Sequence, residues 1–87
     1  MHQDLEELRD ALRPESYDTM AVWLNLESRD FIAVAGNTVR RWFCEDRMPL
    51  YPLLLLLEHA QLPLTVAFKI HPWARRYFKQ ELINDES

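Results

Sequence analysis

In the stretch "GNTVRRWFCEDR", residues 36–47, Asn37, Thr38, Arg40, Arg41 and Arg47 stand close together. These residue types share one chemistry. A guanidinium can donate two parallel hydrogen bonds to a base edge bearing two acceptors, or clamp a phosphate. Asparagine and threonine at a helix start can cap the helix or meet a phosphate there. Such contacts need a rigid helix with its first turn projecting from the surface. Val39, Trp42 and Phe43 recur at i, i+3 and i+4, the spacing of an inward helix face, so Arg40 and Arg41 are expected to turn outward. The helix is read from Asn37, as N-cap, to about Glu45, with Trp42 in the core, Arg40 and Arg41 as primary readers of a duplex and Arg47 on a phosphate. The competing reading is a solvated helix face in which Arg41 and Glu45 form an ordinary i, i+4 pair.

A second basic group, Lys69, Arg75, Arg76 and Lys79, is interleaved with Trp73, Tyr77 and Phe78. It is suited either to a nucleic-acid backbone or to an acidic partner surface, such as the N-terminal helix of this chain or of a second subunit. Catalysis and metal binding find no support. His2, His59, His71 and Cys44 lack zinc-ligand spacing, and no glycine-rich phosphate loop occurs. No catalytic residue, metal or cofactor is expected. His59 reads as a polar residue near the end of a leucine-rich helix, where its charged form suits the dipole.

The elements that must position these residues are helical. Leu5, Leu8 and Leu12 in "QDLEELRDALR" give a short amphipathic helix ending at Pro14. In "PESYDTMAVWLNL", Ser16 is a suitable N-cap, and Tyr17, Met20, Val22, Trp23, Leu24 and Leu26 form a mostly buried surface. "RDFIAVAG" suggests a very short third helix with Phe31, Ile32 and Ala35 as its stripe, closed by Gly36 in a left-handed conformation. "LYPLLLLLEHAQ" has leucines on every side and is expected to be the central buried helix, with Pro49 or Pro52 in its first turn. "LTVAFKI" alternates like a half-buried strand, although Val66, Ile70 and Trp73 also satisfy a helical spacing. A strand or extended arm is expected, followed by a basic helix from Pro72. A strand there has an edge that a two-fold partner could pair.

With 87 residues, the chain is read as one domain, mainly α, with a modest core that gains from a partner or a second copy. Its net charge of -4 gives no global attraction to nucleic acid or an anionic membrane, but the charge is polarised: residues 61–80 hold four bases and no acid. The single cysteine, the acidic N-terminus without a signal-peptide pattern and the short apolar run from Leu53 to Leu57 suggest a soluble, cytoplasmic protein without a membrane partner.

The segment "FIAVAGNTVRRWFCEDRMPLYPLLLLLEHA" resembles the Cro and phage-repressor type of helix-turn-helix regulator. Gly36, Asn37, Thr38, Val39, Trp42, Pro49 and the run from Leu53 to Leu57 carry the likeness. The turn is shorter than in that family, and "CEDRMP" stands where the family has a glycine. The resemblance implies a small helix-turn-helix domain of four to five helices, with its core at about 16–61 and a C-terminal arm and basic helix at 62–87. It further implies a homodimer on double-stranded DNA and a transcriptional regulator of phage or mobile-element type, repressing by excluding polymerase from a short operator. The alternative is a small interaction module that binds a host protein and no DNA, favoured by the acidic balance, the short turn and the aromatic tail.

Overall fold

Three leucines set the first helix. In the computed structural model, which describes residues 2–28 and 33–76, α1 runs Gln3–Leu12 and buries Leu5, Leu8 and Leu12. The His2 ring accepts the Asp4 N–H through Nδ1 at 3.1 Å, and Asp4 and Glu6 lie in the first turn, where the helix dipole favours acids. Pro14, two residues past the last helical residue, prevents continuation.

Helix α2, Tyr17–Glu27, starts as expected at Ser16, whose Oγ accepts the Thr19 N–H at 3.1 Å. It buries Met20, Ala21 and Leu24, with Tyr17 and Trp23 half-buried. Val22 and Leu26 do not join them: they are 58% and 74% exposed. At about 100° per residue a single helix can turn only one stripe inward. Met20 and Leu24 define that stripe, so Val22 and Leu26 fall near the opposite side.

The connector and the start of the next helix depart from the expectation. Residues 29–32, the larger part of the anticipated third helix including Phe31 and Ile32, lie outside the described residues, and residues 33–35 are not helical. Gly36 does not close a helix. It opens α3, Gly36–Cys44, and has no left-handed backbone. The N-cap is Ala35, in an extended conformation, so Asn37 is the second helical residue rather than the cap. Gly36 is needed for space. A Cβ there would lie 1.8 Å from Asp18 Oδ1 and 3.0 Å from the Asp18 Cα, so only glycine lets α3 approach the first turn of α2 this closely. The Asp18 carboxylate then lies at the N-terminus of α3, the end that favours an anion, where Ala35 supplies no capping side chain. Asn25 fixes the connector by a two-point clamp: its Nδ2 donates to the Val34 carbonyl at 3.1 Å and its Oδ1 accepts the Val34 N–H at 2.9 Å.

Val39 and Phe43 are fully buried and Trp42 is half-buried, in the phase expected from their spacing. Helix α4, Leu50–His59, carries Pro52 in its first turn, where no N–H is required, and buries Pro52, Leu53, Leu56 and Leu57. It packs on α1, α2 and α5 and is the central helix the leucine run implied. On its far end, the His59 ring stacks on Trp23 with centroids 4.2 Å apart, and its Nε2 donates to Glu15 at 2.8 Å. This ties α4 to the turn between α1 and α2.

"LTVAFKI" forms no strand. Residues Val66–Ile70 form a short helix, α5, entered through bonds from the Val66 and Ala67 N–H groups to the Pro63 and Leu64 carbonyls. Val66 and Ala67 are buried and Ile70 packs beside them, a helical spacing directed at α1 and α4, while Leu64 is left exposed. No strand occurs among the described residues to pair with an extended arm. A 3-10 turn, Pro72–Ala74, follows and leads into helical Arg75 and Arg76. The rest of the expected basic helix lies outside the described residues. The fold is mainly helical, and no helix among the described residues is long and apolar enough to cross a membrane.

Candidate functional site

Helix α3 is held by its buried side and offers the remainder to solvent. Val39, Phe43 and Gly36 point into the molecule. With about 100° between successive residues, Asn37 and Arg41 point away from the core, Thr38, Trp42 and Glu45 fall on one flank, and Arg40 falls on the other. Asn37, Arg40 and Arg41 are all exposed. Arg40 and Arg41, adjacent in sequence, therefore diverge instead of forming a pair.

The flank bearing Trp42 is concave. Thr38, Arg41, Trp42, Glu45 and Arg47 line an open hollow of about 360 Å³. Two guanidinium groups, one hydroxyl, one carboxylate and an indole share this hollow, and its local charge is positive although the chain is acidic. Among the described residues, neither Arg41 nor Arg47 is held in an ion pair. Three of the five residues expected to contact DNA, Thr38, Arg41 and Arg47, are thus brought together. Asn37 stands one helical turn before Arg41 on the outer face, and Arg40 lies outside the hollow.

Arg47 reaches the hollow because the end of α3 is fixed. Asp46 adopts a left-handed conformation, φ 54°, and the Arg47 N–H returns to the Trp42 carbonyl at 3.0 Å. This is the Schellman arrangement usually built on glycine, here built on aspartate. Two further bonds hold the loop: the His2 backbone N–H donates to the Asp46 carboxylate, and the His71 Nε2–H donates to the Met48 carbonyl. Met48 itself is buried. His2 and His71 were not legible as supports of the site, because each acts through a partner distant in sequence, and Asp46 was not because glycine is the usual residue at its left-handed position. Trp42 and Glu45 were expected as core and as a surface pair, and both also line the hollow.

Lys69, Arg75 and Arg76 are exposed on α5 and the turn after it, and none of them lines the hollow; Lys79 lies outside the described residues. Among the described residues, no group of three His, Cys, Asp or Glu side chains is arranged to hold a metal ion. The chain matches no protein-family model, no curated protein and no solved structure, so the chemistry of this surface must be argued from its own residues.

Proposed function

We propose that this chain is a sequence-specific DNA-binding transcriptional regulator, of phage or mobile-element type, that presents α3 to the major groove and acts as a dimer on a short operator. The observation that carries the reading is the pair of guanidinium groups, Arg41 and Arg47, in no ion pair among the described residues, around one hollow on a helix anchored by Val39 and Phe43. In this assignment Asn37 and Arg41, one turn apart on the outer face, reach base edges. Thr38 and Arg47 hold a phosphate beside them, and Arg40, on the opposite flank, meets the backbone across the groove. Occupancy of the operator excludes polymerase.

A second reading has its own support. Gly36 opens α3 and does not end a preceding helix, unlike the turn that the resemblance implied, and the net charge is -4. A module that binds an acidic patch on a host protein could use the same arginines.

Selection of the purified protein on a pool of random duplex DNA at two salt concentrations separates the two. DNA binding predicts an enriched two-fold motif and an affinity that falls steeply with salt. Within that motif, Arg41→Ala is expected to relax preference at one base position, costing about 1–3 kcal/mol. Arg47→Ala is expected to weaken all sequences alike and to lower the salt slope by about one per protomer. No enrichment at low salt would transfer the assignment to the protein-binding module.

A further inference from the structure

We propose that the outer face of α1 and the basic strip on α5 and its following turn form one self-complementary surface, through which two copies of this chain associate. The inference supplies the partner surface that a dimeric regulator needs, but it is drawn from the charge layout and can be tested without DNA.

Leu5, Leu8 and Leu12 fix the inward direction of α1, so Glu6, Glu7 and Asp10 share its solvent side and all three are exposed. Asp10 is engaged by Arg13 at 3.0 Å, whereas Glu6 and Glu7 have no ion pair among the described residues. Lys69, Arg75 and Arg76 are likewise exposed and in no ion pair there. Among the described residues no ion pair joins the two groups, although α1 packs on α5. The acidic and basic groups therefore sit on neighbouring elements of one molecule, exposed and not paired with each other.

Such a layout suits a two-fold axis. In an isologous contact, residue i of one copy meets residue j of the other and the reverse also holds. Neighbouring patches of opposite sign, rotated about an axis between them, place acid on base twice. Exposed charge pairs contribute little affinity by themselves and serve mainly to steer and register the contact. An anchor is also required. Trp73, two residues before Arg75, is 53% exposed, and tryptophan is among the residues that concentrate interface energy.

The test is the mass of the protein by sedimentation equilibrium, free of DNA, for the wild type and two charge-reversed variants. One carries Glu6→Lys and Glu7→Lys; the other carries Lys69→Glu, Arg75→Glu and Arg76→Glu. All five positions are exposed, and helix content by circular dichroism confirms that each variant folds. The wild type is expected to dimerise, with a dissociation constant rising about tenfold or more between low salt and roughly 0.5 M. Each variant alone is expected to be monomeric, and an equimolar mixture of the two to recover the dimer. Trp73→Ala should weaken the dimer at every salt concentration without changing the salt dependence. A monomeric wild type overturns the proposal, as does either reversed variant dimerising like the wild type or a mixture of folded variants that fails to recover. Loss of DNA affinity in the base-reversed variant with an unchanged dimer also overturns it, and assigns the strip to the nucleic-acid backbone.

Discussion

The glycine at position 36 is a contact residue. Its backbone is ordinary helix, and its value is the missing Cβ, which would penetrate the Asp18 carboxylate and press on the Asp18 Cα. Gly36→Ala is therefore expected to destabilise the protein by about 2 kcal/mol, the cost of overpacking, despite the better helix propensity of alanine. In the Asp18→Ala background the same substitution should cost less, because the carboxylate clash is gone, but not nothing, because the backbone contact remains. Denaturant melts of the four proteins of this cycle check it. A Gly36→Ala protein as stable as wild type would mean that α3 does not rest on α2 in this way. His71 is a second residue whose role is positional. It holds the Met48 carbonyl and does not line the hollow, so on the proposed DNA-binding reading His71→Ala should lower DNA affinity through Arg47 alone. In an Arg47→Ala background, the His71 substitution is expected to have little further effect on binding, and additive losses would refute the coupling.

Helix termini raise the matter of conformational strain at the level of the element. Both α3 and α4 end in a left-handed residue that is not glycine, Asp46 at φ 54° and Gln61 at φ 58°. At each, the following residue closes the motif, Arg47 on Trp42 at 3.0 Å and Leu62 on Leu57 at 2.9 Å. Aspartate tolerates this region better than glutamine, and Asp46 also accepts the His2 N–H. Gln61→Gly is thus expected to stabilise the protein by about 1 kcal/mol, read as an increase in denaturant midpoint with unchanged slope. These stops explain which elements could be read from the sequence. α1 was legible because its leucines satisfy a single helical period, α4 because an unbroken leucine run marks a buried helix, and α2 at its Ser16 cap. The start of α3 was not, since its one glycine serves a contact with Asp18 rather than a turn. "LTVAFKI" satisfies both a strand and a helix period, and the choice is made by α1 and α4, against which Val66, Ala67 and Ile70 pack. In the site, Val39 and Phe43 reveal that the arginines face outward. The hollow joining Arg41 to Arg47 depends on the left-handed Asp46 and on His71, neither of which carries a local signal.

For the molecule as a whole, size and charge act together. A chain of 87 residues can bury only one small core, which among the described residues is a single cluster of fourteen side chains, and has limited stability of its own. Part of that core is assembled by contacts distant in sequence: the His59 ring joins Trp23 and Glu15, and His71 joins the loop after α3. If two copies associate through α1 and the basic strip, folding and association share these contacts, because α1 and α5 are also walls of the core. Stability then depends on concentration by mass action: each tenfold increase in protein adds about 1.4 kcal/mol per dimer. Divided between two protomers of this size, that corresponds to a rise in thermal midpoint of about 3–5 °C. The midpoint of the wild type is expected to climb accordingly over a hundredfold range of concentration, and that of the protein carrying Lys69→Glu, Arg75→Glu and Arg76→Glu to stay level. A level midpoint in both, at concentrations where sedimentation finds dimer, would mean that the dimer dissociates below the midpoint and that unfolding starts from the separate protomers.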